Sequence, residues 1–169
     1  MTLTTILPTL RRSIPDPIDV NRWPEHTSVT TTDVIVSGVS LLRLSELCET
    51  PCVHTAAAVV PGTGGRPSPT EQAAVVIVTV TAVWGEASDE LHVEVDACLD
   101  GVPAVWNEVR LIGRASVAHT TSARLVAQKG QSATCRPVEA AHLPVDIAAG
   151  DLLAIPCRGV VALKTLRRR

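Results

Sequence analysis

The feature that most constrains the fold of this chain is the run "AAVVIVTVTAVW" at residues 73–84. Valine, isoleucine and threonine dominate it, and β-branched side chains of this kind fit a pleated, half-buried surface better than a helix. The loop-like stretch "GEASD" (85–89) follows, and then "ELHVEVD" (90–96) alternates apolar and polar residues with the period of a strand. We therefore predict a long strand that is joined to its neighbour by a hairpin.

Short apolar segments separated by turn residues continue almost to the end of the chain. The tetrapeptide "AAGD" (148–151) predicts a tight turn between two of them. Roughly seven or eight such strands, with one short helix in the N-terminal half, are typical of a mainly β fold, an antiparallel β-barrel or β-sandwich. The further strands are predicted over 105–113, 123–128, 143–147, 151–156 and 160–166.

Length and composition favour a single globular domain with an aliphatic core. The chain has 169 residues, of which 46% are hydrophobic and 19% charged, and it contains three Trp but no Phe or Tyr. The net charge is −2, and the basic residues are scattered apart from Arg11-Arg12 and the tail 167–169. Because nucleic-acid surfaces need clustered basic residues, and a membrane-spanning helix needs about 20 apolar residues in a row, we expect neither nucleic acid nor membrane as a partner.

The cysteine count and the N-terminus favour a cytoplasmic protein. Secreted domains more often carry an even, paired set of cysteines, whereas this chain has five. In the N-terminal segment the charges follow a short apolar piece, which is the reverse of a secretory signal.

The N-terminal half predicts an arm, a helix and a linker. Four prolines within residues 1–24 exclude a continuous helix and favour an extended arm laid over the remaining body, residues 25–169. A strand within 31–41 leads to Ser40, a good cap for the helix "LLRLSELC". The segment "CVHTAAAVV" is then extended again, and "PGTGGRPSPTEQ" (61–72) is typical of a flexible surface connection.

These segments also resemble a known enzyme family. The stretch "WPEHT…DVIVSGVSLLRLSELCETPCV" is similar to the start of the diaminopimelate and ornithine decarboxylase family, the fold-type III pyridoxal-phosphate (PLP) enzymes, although Glu49 stands where the family has Gly. The segments "VVIVTVTAVWGEASDELHVEVD", "VRLIGRAS" and "LPVDIAAGDLLAIPCRGVV" resemble, in the family's order, the hairpin after the TIM barrel, the strand before the catalytic Cys and the late strand pair. The resemblance covers about residues 22–60 and 73–163.

The resemblance implies the β-domain of the alanine racemase and group IV decarboxylase type, with its TIM barrel deleted. A TIM barrel takes roughly 250 residues, and here only the linker at 61–72 stands in its place. The family's cofactor lysine lies on a barrel strand, and neither Lys129 nor Lys164 matches it. We therefore expect no PLP without a partner protein, and no PLP-dependent decarboxylation by this chain alone.

The family's site residues in the β-domain are replaced as well. By register its catalytic Cys falls at Ser116, with Cys135 as a rival placement. The other replaced positions are Val117 and Thr120 for its acidic residues, Val161 and Trp106 for two tyrosines, and Val102 for an arginine. The charged substrate clamp that the family uses is therefore missing under either placement.

Other residue types could still carry chemistry. Ser116 and His119 could form a nucleophile–base pair, although at a spacing of three on a strand end they point to different faces. Cys48, Cys52 and His54 form a C-x₃-C-x-H cluster that could bind zinc. Because the first of these cysteines ends a helix with a buried apolar face, we interpret them as core thiols and predict no metal site.

Four residues are the candidates for binding a ligand. Trp84 and Trp106 are large apolar plates with one hydrogen-bond donor each, and they could equally line a pocket or fill the core. Arg110 and Arg114, on the strand that leads to Ser116, are the best placed to hold an anionic ligand. The alternative for both arginines is a solvated strand edge.

Three functions fit these observations. The one we favour is a decarboxylase-like β-domain that works alone and without PLP, as a small-molecule-binding enzyme of amino-acid-derived or polyketide-type specialised metabolism. The alternative is a non-catalytic accessory subunit that pairs with a separate PLP barrel protein, or with a copy of itself as a homodimer. The second alternative is a structural component, for example of a virion. The sequence leaves open whether the chain is catalytic.

Overall fold

The structure, a computed structural model, describes residues 2–85, 90–128 and 135–167. No helix in these ranges is long and apolar enough to cross a membrane. The helices are α1 (Leu3–Ile6), α2 (Leu41–Cys48) and α3 (Leu163–Leu166), with 3₁₀ turns at Pro8–Arg12, Val20–Arg22 and Trp106–Glu108. The strands are β1 (Thr27–Val29), β2 (Val34–Val36), β3 (Val39–Ser40), β4 (Cys52–Val59), β5 (Pro67–Trp84), β6 (Leu91–Val95), β7 (Arg110–Ile112), β8 (Thr120–Ala127), β9 (Val138–Pro144) and β10 (Leu152–Arg158).

A seven-stranded sheet curls into a nearly closed barrel. Its strands follow the order β7-β10-β5-β6-β8-β9, and β4 pairs with β5 beside this path. Strands β6 and β8 are parallel, with Leu91 opposite Ala123 and Val95 opposite Ala127. The prediction of a mainly β protein is confirmed, and the prediction of an antiparallel sheet fails at this one pair. The finer likeness to the decarboxylase β-domain stays a prediction.

The middle of the long strand β5, residues 73–78, is buried on both faces, which explains the continuous apolar sequence of this part. Ala74, Val76 and Val78 belong to the core inside the barrel, whereas Val75 and Ile77 belong to a second core on the other face. A strand that is buried on both faces has no solvent side on which polar residues would alternate. The neighbouring strand β6 does alternate as predicted, since its apolar side chains are all buried in the barrel core: Leu91, Val93 and Val95.

The second core joins the barrel to a small N-terminal layer. In it, Val36 of the three-stranded sheet β1-β2-β3, Leu41 of α2 and Trp23 pack together with residues of β5 and β10. Helix α2 begins as predicted, because the Ser40 hydroxyl oxygen accepts a hydrogen bond from the Arg43 backbone N–H at 3.1 Å. The layer therefore covers the outer face of β5 that would otherwise meet water.

Three predicted strands are wrong in whole or in part. Of the segment 143–147 only the first two residues lie in a strand, because β9 ends at Pro144. The segment 105–113 divides into a 3₁₀ turn, Trp106–Glu108, and the short strand β7. In the segment 160–166, helix α3 occupies Leu163–Leu166. Leu166 is buried, whereas Val160, before the helix, is 63% exposed. Short apolar runs do not by themselves distinguish a strand from a helix turn.

The connection between β4 and β5 is shorter than predicted. Strand β5 begins at Pro67, so that only residues 60–66 link it to β4, and 67–72 of the predicted linker belong to the strand. The pairing slips between Ala57 and Val59, where Ala57 faces Gln72 and Val59 faces Pro67. Of the predicted hairpin loop at 85–89, residues 86–89 lie outside the described residues.

The N-terminal arm is folded against the barrel and is not extended throughout. It contains α1 and two 3₁₀ turns. Near its C-terminal end, Trp23 is 1% exposed. The Trp23 indole Nε1 donates a hydrogen bond to Glu108 Oε2 at 2.9 Å. The C-terminal end of the arm is thus fixed to the turn that precedes β7.

Candidate functional site

A polar cleft lies between β7 and β9, the two strands that end the path of the large sheet, and we call it the seam cleft. Its volume is about 200 Å³, below the roughly 300–1,000 Å³ that is typical for drug-sized ligands. Strand β7, the end of β9, the segment 114–116 and the N-terminal arm supply its walls. The charged and polar side chains that line it include Arg11, Asp16, Glu108, Arg110, Arg114, Ser116 and His142.

Arg114 is committed to the turn between β9 and β10. Its Nε and one Nη donate hydrogen bonds to the two carboxylate oxygens of Asp151 at 2.8 and 2.6 Å, and the other Nη reaches Asp146 Oδ2 at 3.3 Å. The hydrogen bonds to Asp151 raise the pKa of Arg114 above its ordinary value. A bidentate pair of this kind fixes both partners in one geometry. Arg114 therefore shapes the cleft, but its charge is already compensated.

Ser116 is held by the same group of residues and is 7% exposed. Its Oγ donates a hydrogen bond to Asp146 Oδ1 at 2.6 Å and accepts one from the Ala118 N–H at 3.1 Å. Burial acts to raise the pKa of Asp146, but the hydrogen bonds from Ser116 and Arg114 outweigh it, so that this pKa is lowered. A carboxylate with a lowered pKa is a poor base, and the geometry gives no activated serine nucleophile.

The Arg110 guanidinium is the distinctive group of the cleft. It donates hydrogen bonds to two backbone carbonyl oxygens of the arm, those of Asp16 at 2.6 Å and Pro17 at 3.1 Å. Burial lowers the pKa of Arg110, while the negative charges of Asp16 and Glu108 act in the opposite direction. Within the described ranges Arg110 forms no salt bridge. It is thus a partly desolvated cation that is held mainly by neutral carbonyl groups, with N–H donors to spare.

The arm closes the seam cleft from the other side. Arg11 Nη1 donates a hydrogen bond to the Ala118 carbonyl oxygen at 3.0 Å, and Arg11 Nε lies 3.1 Å from Asp16 Oδ2. Further along, Arg22 Nη1 donates to Asn107 Oδ1 at 2.8 Å. The arm is therefore one wall of the cleft and is held there by polar contacts.

The structure brings part of the predicted ligand-binding set together. Arg110 and Arg114 line the same cleft, together with Ser116. Trp106 is partly buried against the barrel core and does not line the cleft. Trp84 is 45% exposed at the end of β5, where its ring stacks on His92 at a centroid distance of 5.6 Å. The two tryptophans and the two arginines do not form one site.

The weak catalytic candidates are not assembled into a nucleophile–base pair. The Ser116 hydroxyl donates to Asp146 and not to His119, which is exposed and contributes its backbone carbonyl to the Val145 N–H at 3.0 Å. Cys135 forms a disulfide with Cys98. Because only a free thiolate is nucleophilic, Cys135 cannot take the role of the family's catalytic cysteine in this state.

The C-x₃-C-x-H cluster does not gather into a metal site. The interpretation as core thiols is wrong for Cys48, which is exposed at the end of α2. Cys52 is buried, and burial raises the pKa of its thiol to about 11. His54 Nε2 is buried without a hydrogen-bond partner. In the part of the chain that the structure describes, no three His, Cys, Asp or Glu side chains are placed to hold a metal ion.

The seam cleft does not fit PLP. Lys164, the lysine that lies within the described ranges, is exposed on α3 and does not line the cleft, and Lys129 lies outside them. A Schiff base needs a lysine beside the cofactor ring, and the phosphate needs clustered backbone N–H groups. The residues that line the cleft therefore offer neither a Schiff-base lysine nor a phosphate cradle for PLP.

A second, more open groove of about 770 Å³ lies beside the β4–β5 connection. Apolar residues such as Val59, Pro61 and Val160 line it together with Arg22 and Arg158. Its lining also includes Trp23 and Cys157, so that it borders both the N-terminal arm and the end of β10.

Sequence reasoning missed the arm residues and the two aspartates of the site. Asp146 lies two residues before the predicted turn at 148–151, and Asp151 is the last residue of that turn. Two carboxylates five residues apart around a tight turn are a signal that could have been used. Arg11 and Asp16 carry no local signal, because their place in the cleft depends on the path of the arm across the barrel.

Comparison with protein-family models finds no family that matches the chain, and comparison with curated proteins finds no match either.

Proposed function

We propose that this chain is a small-molecule-binding β-domain that works without PLP and takes a compact anion, such as a carboxylate, in the seam cleft. The observation that carries the proposal is the Arg110 guanidinium, which is partly removed from water and donates its hydrogen bonds to two neutral carbonyl oxygens, while the charges of Asp16 and Glu108 act on it without a salt bridge. A cation in this setting gains more from an anionic partner than a solvated surface arginine does.

The remainder of the cleft supports a preorganised binding site. Arg114, Asp146 and Asp151 hold one another in place, so that the wall formed by 114–116 needs little rearrangement on binding. The volume of about 200 Å³ limits the ligand to a small molecule. His142 and Ser116 add polar groups along the same lining. These features support recognition, and the Ser116 geometry gives no separate support for covalent catalysis.

The test is calorimetric titration of the full-length protein with a panel of small carboxylates: acetate, pyruvate, succinate and L-glutamate. We expect one of them to bind, and we expect the Arg110→Gln variant to bind it at least about tenfold more weakly, since a hydrogen bond to a charged group contributes roughly 1.5–3 kcal/mol. The matched control is Arg43→Gln, which removes an exposed arginine of α2 whose partner is Glu46 at 2.7 Å. Unchanged melting temperatures would show that both variants fold.

Two results would contradict the proposal. The first is that none of the four carboxylates binds. The second is that Arg110→Gln and Arg43→Gln bind the same ligand with equal affinity, which would mean that the ligand does not use the cleft.

The accessory-subunit alternative is favoured by the open groove beside the β4–β5 connection, where Val160 is 63% exposed. An exposed apolar side chain beside a wide groove is common at protein interfaces. The check is a mass and an absorbance spectrum of the purified protein with and without added PLP. Co-purification with a PLP-absorbing barrel protein would favour the subunit, and a chain that takes up no PLP would favour the stand-alone β-domain.

A further inference from the structure

We propose that residues 2–17 form a strap that opens to admit a ligand to the seam cleft and closes over it, an inference that rests on the proposed function. In the structure the strap is closed. Asp16 and Pro17 lie against Arg110, and Arg11 reaches over the cleft to the barrel.

The strap is held by two reciprocal contacts, which we call the latch. From the strap, Arg11 donates to the carbonyl oxygen of Ala118, the residue before β8 by two positions. From the barrel, Arg110 donates to the carbonyl oxygens of Asp16 and Pro17. Both contacts are hydrogen bonds from a charged donor to a neutral acceptor, so water can replace the acceptor in either of them when the strap opens.

Burial of apolar side chains adds little to the stability of the latch. The apolar side chains along the strap are largely in water: Leu3 is 67% exposed, Ile6 58%, Leu7 53% and Ile14 46%. Thr4, the one residue of the strap that is fully buried, has a small side chain. Segments with few buried apolar contacts open at much lower free energy than the core. The strap therefore opens while the barrel stays folded.

The hinge lies between residues 17 and 18, where the strap meets the part of the arm that is fixed to the barrel. Ile18 packs against the second core, and Trp23 is 1% exposed with its indole bonded to Glu108. Arg22 adds a hydrogen bond to Asn107. Since 18–23 are fixed and 2–17 are held by the latch, the chain pivots between these two parts.

A bound anion stabilises the closed strap. The guanidinium groups of Arg110 and Arg11 both line the seam cleft, one on the barrel side and one on the strap side. An anion between them interacts with both, so that it adds a third link between strap and barrel. Ligand exchange then requires the strap to open, and the free protein opens more often than the complex.

The first experiment uses no ligand. Hydrogen–deuterium exchange of the full-length protein, followed by mass spectrometry, is compared for the wild type, Arg11→Gln and the control Arg43→Gln. We expect peptides from 5–17 to exchange several-fold faster in Arg11→Gln, while peptides from 18–29 and the whole Arg43→Gln variant are unchanged. A second variant, Asp16→Asn, weakens the contact between Arg11 and Asp16 and keeps the carbonyl that Arg110 uses, and it shifts exchange in the same direction. Equal exchange of 5–17 in all four proteins would overturn the strap.

The second experiment adds the carboxylate of the panel that binds with the lowest Kd. We expect it to slow exchange of 5–17 in the wild type. If it slows exchange of 110–118 but leaves 5–17 unchanged, the ligand binds and the strap proposal is wrong. If no carboxylate binds, the proposed function fails, and the strap is decided by the ligand-free comparison alone.

Discussion

Asp96, the residue directly after β6, has a half-buried carboxylate. Burial raises the pKa of Asp96, against the hydrogen bonds that its carboxylate accepts from the Thr50 side chain and from the Thr79 N–H, the latter at 2.9 Å. Burial thus disfavours the charged form of this carboxylate, in a position that satisfies the backbone of β5.

We predict that Asp96→Asn is more stable than the wild type at pH 7. An amide oxygen still accepts from the Thr79 N–H, and the desolvated charge is gone. Because the folded pKa is raised, the folded protein holds the proton more tightly than the unfolded chain. The stability from that proton is present below the ordinary pKa of 3.8 and is lost as pH rises through the raised pKa. Urea unfolding at several pH values checks this: the advantage of the variant shrinks towards pH 4, and an advantage that grows on acidification would contradict the assignment.

At the scale of single elements, the start of α2 depends on one side chain from the preceding hairpin. Asp33 Oδ1 accepts hydrogen bonds from the backbone N–H groups of Val34 at 2.8 Å and Leu42 at 3.0 Å, and Asp33 Oδ2 accepts from the Ser40 hydroxyl at 2.5 Å. The carboxylate satisfies an orphan N–H of the first helical turn and orients the Ser40 cap.

We predict that Asp33→Ala lowers the free energy of unfolding by about 1–2 kcal/mol, the amount typical of a lost helix cap with one further hydrogen bond. The comparison is with Glu46→Ala on the same helix, which breaks only the exposed pair with Arg43 at 2.7 Å and should change stability by less than about 0.5 kcal/mol. Chemical denaturation of both variants measures this. Equal effects on stability would mean that the Asp33 carboxylate does not support the start of α2.

Elements with a strong local signal could be predicted from the sequence, and elements set by tertiary context could not. The strand at 73–84 and the helix cap at Ser40 each depend on a signal contained within a few neighbouring residues, and both predictions are confirmed. The prediction of a strand over 105–113 is wrong in part, because the first half of this segment turns and places Glu108 against Trp23, which is 85 residues away in sequence. The end at 160–166 was wrong because the chain leaves the sheet after β10 and folds back as α3 with Leu166 buried.

At the scale of the whole molecule, the seam cleft exists because the barrel is not fully closed by strand pairing. Its residues come from the arm, from the turn between β1 and β2, from β7 with the segment 114–116, and from β9, which are far apart in sequence. The sequence indicated Arg110 and Arg114 as anion-binding candidates, but the compensation of Arg114 by Asp151 and the cover over Arg110 depend on the assembled barrel. Local pattern therefore predicts the strands, and only their closure produces the site.

The Cys98–Cys135 disulfide adds a covalent link to this closure, since it joins the residues after β6 to the segment before β9. Such bonds are rare in reducing cytosol, so the bond weighs against the cytoplasmic location that the odd cysteine count favoured, and that location stays a prediction. We predict that reduction lowers the free energy of unfolding by about 3–4 kcal/mol, because the bond closes a loop with a sequence separation of 37. An unchanged unfolding midpoint after reduction would show that the barrel does not depend on the bond.

Thiol titration checks whether the bond is formed. In the folded, non-reduced protein we expect one fast-reacting thiol at pH 8, that of exposed Cys48. Two more thiols react only after unfolding, because burial raises the pKa of Cys52 to about 11 and that of Cys157 to about 12. Five reactive thiols in the unreduced, unfolded protein would show that the bond is not formed.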